Sequence, residues 1–336
     1  LVCSNSLRSD ELTNAVGLLK EELRRLDSVV LASADHNRVA AGGALAVDRE
    51  AFAREITERI CAHPNITVER AEATAIPEGE VVIATGPLTS DAMAPIVTLE
   101  SVDMDSDFFA SRYDKGTADY VNCPMDQAEY TAFVQELRTA KEAPVHGFDD
   151  GAVFEGCMPV EVMARRGEDT LRYGPLKPVG LRDPATGREP YAVVQLRRDN
   201  AAGNIYNLVG FQTHLRFPEQ KRVFSMIPAL HDAEFVRYGV MHRNTFLNSP
   251  KLLDACYADR RDPMVAFAGQ MTGVEGYVES CASGYLAAVS MAARLEGRPV
   301  PDFGTVTAIG ALAHYVSDST VASFQPMNVN FGIIAS

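Results

Sequence analysis

Several features are missing from this sequence, and each absence removes a class of protein. No two of the six cysteines (Cys3, Cys61, Cys123, Cys157, Cys256 and Cys281) stand at a Cys-x-x-Cys spacing, so neither a zinc site nor a dithiol redox motif is indicated. No run of about 18 apolar residues occurs, so no transmembrane helix is expected. No charged n-region followed by an apolar h-region opens the chain, so no secretory leader is read. No apolar strand leads into a Gly-x-Gly-x-x-Gly turn; Gly42-Gly43 has no such strand before it. The chain opens on LVCSNSLRS with no methionine, strand or turn glycine ahead of it, as the middle of a domain would.

What is present describes a soluble globular protein. The chain has 336 residues, 46% apolar and 23% charged, enough for two domains with large cores. Six cysteines without paired spacing suit a reducing cytosol. The net charge of −14 argues against a generic nucleic-acid binder, but the charge is uneven. Residues 1–150 carry 13 Lys/Arg against 27 Asp/Glu, residues 151–250 carry 13 against 10, and residues 251–336 carry 5 against 8. Only the middle segment is basic, so an RNA contact is expected there if anywhere. The other reading is a solvated surface of mixed charge.

Apolar residues at three- and four-residue steps (Leu12, Val16, Leu19, Leu23, Leu26, Val30) predict a helix over 10–32. Phe52, Ile56 and Ile60 predict a second over 48–62, with Asp48 as N-cap and Pro64-Asn65 as its stop. Short strands are expected at 66–68 and 81–84, the second buried and parallel because it is nearly all apolar. That strand breaks at Thr85-Gly86-Pro87, a turn common where flavin dinucleotides approach. A helix is expected at 125–140. From about 151 to 248 helical periodicity gives way to β alternation, as in Tyr191-Ala-Val-Val-Gln-Leu196, punctuated by Asp183-Pro184, Thr186-Gly187 and Asn200. After 251 the α/β pattern returns, with helix 251–258, strand 264–268 and a glycine-rich turn into helix 275–296. The reading is α/β: an FAD-binding Rossmann-type domain, incomplete at its start and split into 1–98 and 251–336, around an inserted mixed α+β domain at 99–250.

The densest motif is Phe267-Ala-Gly-Gln-Met-Thr-Gly-Val-Glu-Gly-Tyr277. Gly269, Gly273 and Gly276 at a strand-to-helix turn let a ligand approach the backbone, and the helix N-terminus favours negative charge. In flavoproteins of this build such a helix faces the flavin's pyrimidine edge, where the reduced ring carries its charge. A tight strand–helix connection would use the glycines for packing instead. Tyr277 is either a stacking ring or a half-buried helix-start tyrosine. Cys157, in Phe154-Glu-Gly-Cys-Met-Pro-Val-Glu161, sits on a turn set by Gly156 and Pro159. Arg165-Arg166 favour its thiolate, whereas Glu155 and Glu161 oppose it. Cys3 stands beside Ser4, Asn5, Ser6 and Arg8. Cys61, Cys256 and Cys281 fall in expected helices and read as packing; Cys123, before Pro124, stays open. Two stretches, 210–216 and 237–246, mix basic, aromatic and amide side chains, Arg216, His242 and Arg243 among them. That mixture suits phosphate contacts with base stacking, or a polar seam.

The segments LVCSNSLRS with ELTNAVGLLKEELRRLDS, VNCPM, FEGCMPVEVMARRG, GPLKPVGL, NLVGFQTHLRFPEQKRVF, RYGVMHRNTF and GQMTGVEGYVESCASG resemble one family, the folate- and FAD-dependent tRNA (uracil-5-)-methyltransferases. The likeness runs from residue 1 to about 332. It implies methylation of C5 of the T-loop uridine of tRNA, position 54, giving ribothymidine. Methylenetetrahydrofolate donates the carbon, reduced FAD takes it at N5 and supplies electrons, and NAD(P)H re-reduces the flavin. A thiolate adding at uracil C6 makes C5 nucleophilic; Cys157 matches that position and Cys3 the family's second functional cysteine. The target sits inside the tRNA elbow, so base flipping is expected. FAD contacts are expected at Asn5, Ser6, Thr85, Gly86, Gly269, Gln270, Gly273, Val274, Gly276 and Tyr277. Contacts to tRNA are expected at Arg165, Arg166, Arg216, His242 and Arg243. No metal and no membrane partner are implied, and the location is cytoplasmic. Two departures from the family pattern stand out: the pyrophosphate turn is missing, and the family continues beyond the last residue. Competing readings are a wobble-uridine modification protein or NAD(P)H:flavin oxidoreductase on the same fold, and a non-catalytic tRNA-binding flavoprotein.

Overall fold

The computed structural model describes residues 4–71, 75–86, 94–114, 117–143, 158–239, 246–321 and 323–335. In chain order its elements are β1 (Ser6–Ser9), α1 (Ala15–Arg25), α2 (Val29–His36), β2 (Arg38–Val39), β3 (Ala44–Val47), α3 (Arg49–Cys61), β4 (Val81–Ile83), β5 (Ile96–Thr98), β6 (Phe108–Ala110), β7 (Tyr120–Met125) and α4 (Gln127–Thr139). There follow α5 (Val160–Arg166), α6 (Thr170–Tyr173), β8 (Ala192–Arg198), β9 (Ile205–Leu208), α7 (Phe217–Phe224), β10 (Phe235–Arg237), α8 (Ser249–Leu252), β11 (Val265–Phe267), α9 (Tyr277–Leu295) and α10 (Ala308–Ser317). The chain divides into two compact units: Leu1–Ser6, Arg38–Glu50 and Ser90–His242; and Leu7–Asn37, Ala51–Thr89 and Arg243–Ser336. No helix among the described residues is long and apolar enough to cross a membrane.

The first unit is built on a six-stranded antiparallel sheet in the order β10-β5-β9-β8-β7-β6. Cys123 pairs with Val194 and Leu196 with Leu208, which fixes the register. Strand β8 lies centrally and is buried along nearly its whole length. Helix α4 starts cleanly because Asp126 and Glu129 form a reciprocal capping box. Its apolar stripe, Tyr130, Phe133, Val134 and Leu137, closes a core shared with Phe211 and Phe224. Burying each such ring contributes roughly 2–3 kcal/mol. The domain boundary expected at 98 falls at the end of β5, inside this sheet, and Arg38–Glu50 clusters with the sheet as well. Periodicity along the chain does not report which strands pair across it.

One buried acid in this unit makes its stability pH-dependent. Among the described residues neither carboxylate oxygen of Asp107 has a hydrogen-bond partner, and burial beside Asp103 pushes its pKa up to about 6. A pKa raised above the unfolded value favours the protonated folded form. The stabilisation is complete below the ordinary value of 3.8 and is lost as pH rises from there through about 6. Asp107→Asn therefore stabilises the protein by about 1 kcal/mol at pH 8, after discounting for the half-exposed side chain, and by less at pH 4.5. Thermal melts at the two pH values check this; equal shifts would contradict it.

In the second unit α1, α9 and α10 pack against one another. The Glu22 carboxylate accepts from the Ala308 and Ile309 N–H groups at 2.7 and 2.9 Å, and Thr307 caps Gly310, so the start of α10 is fully met. The helix expected over 10–32 is two helices. Asp27 takes a left-handed φ of 53°, and the Ser28 and Asp27 N–H groups bond to Leu23 O and Arg24 O, a Schellman closure of α1. Ser28 then caps α2. No strand forms at 66–68, where Ile66 and Val68 are 45% and 46% exposed. The helix expected at 251–258 stops after Leu252, because the Asp254 carboxylate takes the Cys256 and Ala258 N–H groups at 2.8 and 3.0 Å. The second expected strand is present as β4 and parallel, but its residues are half-exposed rather than buried. Among the described residues its sheet has two strands.

Candidate cofactor and RNA sites

Strands β4 and β11 run parallel, Val81 opposite Val265 and Ile83 opposite Phe267. Their carboxyl ends lie side by side, so the turns at Thr85-Gly86 and Gly269–Gly276 leave from the same end. Ligand crevices in α/β sheets form there. Thr85 Oγ1 lies 3.8 Å from Met271 Sδ, which ties the two turns together. Gly86, Gly269, Gly273 and Gly276 have φ of 69°, 77°, 86° and 111°, values that favour glycine. Their surroundings differ. A Cβ on Gly273 would sit 2.4 Å from the Phe324 ring, and one on Gly276 2.4 Å from Glu279 Oε2. Among the described residues, a Cβ on Gly86 would meet nothing within 4 Å, and one on Gly269 only Ser280 at 3.9 Å. Two glycines are therefore needed for packing, and two carry open space over the backbone.

The turn is held from beneath by the chain's later segment. Glu275 N–H donates to Met327 O at 3.0 Å and Met327 N–H to Gly273 O at 3.1 Å, with Val274 buried between them. Helix α9 then begins at Tyr277 with Gly276 as an N-cap that offers no side chain. Its first turn carries Glu279, fully buried and ion-paired with Arg8. Glu279 Oε1 also accepts from Val329 N–H at 3.1 Å, whereas Oε2 is buried with no hydrogen bond among the described residues. The positive end of α9 is thus partly met by the chain's own carboxylate. Lys20, fully buried, donates to Ser9 O at 2.6 Å, and burial pushes its pKa down to about 8. Sequence reasoning missed the Arg8–Glu279 pair because its members are 271 positions apart. An acid in the first turn of an otherwise small and apolar helix was the available signal.

Other expected residues are placed as follows. Asn5 is fully buried within the first unit: its Nδ2 donates to Val47 O and Arg198 O at 2.9 Å, and its Oδ1 accepts from Arg197 and Asn207 at 3.1 and 3.3 Å. Those bonds use its amide as an anchor of the protein. Ser6 opens β1, and its N–H donates to Ser4 Oγ at 3.1 Å. Arg165, at the end of α5, pairs with the Glu142 carboxylate, and exposed Arg216 donates from Nε to Glu142 O at 3.0 Å. Glu142 therefore gathers two arginines that lie far apart in sequence. Arg166 is exposed beside them in α5. Glu142, Glu161 and His214 each offer a ligand atom within 4.8 Å of the others. Both Glu161 oxygens already accept hydrogen bonds, from Thr213 and from His214 N–H at 2.8 Å, and Glu142 pairs with Arg165. Cys3, Cys157, His242 and Arg243 lie outside the described residues. Burial pushes the thiols of Cys123, Cys256 and Cys281 up, so none of them is a ready nucleophile. Cys256 sits on the Asp254 turn rather than in a helix, and Cys61 is exposed in α3.

This arrangement is that of a GidA-type fold. Over 97% of the chain, the structure superposes on Aquifex aeolicus GidA (form I crystal) with a TM-score of 0.69 at 12% identity, spanning 65% of that chain. The form II crystal gives a TM-score of 0.67 and 62% of that chain. The profile of the family described as Glucose inhibited division protein A matches residues 1–90 and 85–299. The methylenetetrahydrofolate--tRNA-(uracil-5-)-methyltransferase TrmFO of Acetivibrio thermocellus is 59% identical over 100% of this chain and 82% of its own length. The enzyme of the same name from Bacillus licheniformis is 55% identical over 99% and 81%. The chain belongs to this family, among the methylenetetrahydrofolate--tRNA-(uracil-5-)-methyltransferases.

Proposed function

We propose that this protein methylates C5 of uridine in tRNA, with methylenetetrahydrofolate as carbon donor. The observation that carries the reading is 59% identity along the whole chain to a relative bearing that name. The expected substrate position is the T-loop uridine, and the expected compartment the cytoplasm. The glycine turns, the open space over Gly86 and Gly269 and the buried, unsatisfied Glu279 oxygen fit FAD in the second unit. Bound FAD supplies the reducing electrons and carries the one-carbon unit, with NAD(P)H as the outside reductant.

The chain's own residues do the rest. The Cys157 thiolate adds to uracil C6, and the π electrons of C5=C6 move into an enolate nucleophilic at C5. After C5 gains its carbon, Cys3 takes the C5 proton, two electrons and a proton that reduced FAD would supply when bound release the methylene from its carrier as a methyl group, and the thiolate leaves C6 as the double bond returns. Gly86 and Gly269 leave room for the cofactor, and Arg8 neutralises Glu279 at the start of α9. Arg165, Arg166 and Arg216 meet tRNA phosphates in the basic segment. A bacterium deleted for this protein should have tRNA without ribothymidine at the T-loop, restored by the wild-type gene. Ribothymidine unchanged by deletion would count against the reading.

Arg165→Gln with Arg166→Gln should weaken tRNA binding and lower the salt slope of the binding constant by about 1 to 2. An unchanged affinity and slope would show that this edge does not touch phosphate.

A further inference from the structure

Three rings of the first unit form a ladder that runs from the core to solvent. Phe235, on β10, packs against the sheet core. Tyr238 stacks on it with centroids 5.5 Å apart and planes 12° apart, and Phe217 stacks on Tyr238 at 5.2 Å and 16°. Phe217, the outermost, is 52% exposed. A lone exposed ring is ordinary and needs no explanation. The parallel geometry is different. The core pairs Phe211–Phe224 and Tyr130–Tyr191 meet edge-on at 82° and 63°, as rings packed for burial do. In the stacked ladder Tyr238 covers one face of Phe217, and the Phe217 side chain remains half-exposed.

The ladder is also held in place. Gln220, fully buried on α7, donates from Nε2 to Leu215 O and Gly239 O, and its Oε1 accepts from Gly239 N–H, each at 2.7 Å. This buried amide pins the segment carrying Tyr238 to the helix carrying Phe217. Gly239 lies so close to Pro95 and Thr213 that a Cβ there would be 3.0 Å from each. The ring face is therefore fixed before any ligand arrives. Arg216 is exposed next to Phe217, and Lys221 Nζ stands 5.3 Å over Phe235, the innermost ring.

We infer that Phe217, backed by Tyr238 and Phe235, is a stacking platform for one unpaired nucleobase of the tRNA substrate, with Arg216 at the adjoining phosphate. The inference rests on the proposed tRNA reading and adds a specific contact to it. Single-stranded bases bind proteins on such faces because every base has a π-face, and a rigid ring loses little freedom on contact.

The test measures tRNA affinity of the full chain by fluorescence anisotropy at several salt concentrations. Phe217→Ala should weaken binding about 5- to 100-fold with the salt slope unchanged, since no phosphate contact is removed. Phe217→Trp should restore it, whereas Phe217→Leu, equally apolar but with no π-face, should not. Melting temperature and flavin absorbance should hold in all three, because the ring is exposed. Wild-type binding with Phe217→Leu equally tight would overturn the platform and leave the tRNA reading standing. A wild-type chain that does not bind tRNA would overturn both. A changed sedimentation mass in Phe217→Ala at unchanged tRNA affinity would assign the ring to a second copy of the chain and overturn the platform as well.

Discussion

Cys157→Ala should abolish ribothymidine formation, lowering turnover by roughly 10⁴-fold or more, while the flavin absorbance stays that of the wild type. The effect is large because uracil C5 has little nucleophilicity until a thiolate has added at C6. Of the described cysteines, Cys123, Cys256 and Cys281 are held protonated by burial, and Cys61 lies exposed on α3. Cys3→Ala should also lose product, but at a later stage, when the C5 proton must leave. The two variants should therefore differ in whether protein and tRNA become covalently joined. Cys3→Ala should accumulate an adduct resistant to denaturing gels, and Cys157→Ala should give none. A fully active Cys157→Ala protein would rule out its role as nucleophile.

The second large effect lies in the glycine turn. Gly273→Ala places a Cβ 2.4 Å from the Phe324 ring at a φ of 86°. Phe324 is itself buried and meets Tyr315 and Phe246, so it has little room to retreat. Overpacking and left-handed backbone together should cost about 3 kcal/mol, with FAD lost along with the fold of the turn. Gly86→Ala separates the two causes. Its Cβ meets nothing among the described residues, so only the backbone term of about 1 kcal/mol is expected. If a cofactor fills the space over Gly86, Gly86→Ala should lose FAD affinity out of proportion to its small loss of melting temperature. Equal FAD retention in Gly86→Ala and wild type would place the cofactor elsewhere.

The sequence made some of this legible and hid the rest for physical reasons. Helices α4 and α9 and strand β11 follow directly from periodicity, a capping acid and flanking glycines, all local signals. The break at Asp27 was hidden because leucines continue at helical spacing on both sides of it. The turn after Leu252 was hidden because an aspartate side chain competes with the helix, which composition does not show. The glycine turn was legible as a motif, but the division between packing glycines and open ones is a tertiary fact. Asn5 was expected as a cofactor contact from the family resemblance, and its buried amide network could not be seen in the sequence. Its partners Arg197 and Asn207 lie about two hundred residues away, beyond any local pattern. The stacked rings at Phe217 were hidden for the same reason.

Carbon transfer itself is the most direct measurement. FAD-loaded protein is incubated with unmodified tRNA transcript, NADPH and methylenetetrahydrofolate labelled at the methylene carbon, and the nucleosides are resolved. The account predicts label in ribothymidine at one uridine of the T-loop. Protein that holds both FAD and tRNA yet forms no labelled ribothymidine would contradict it.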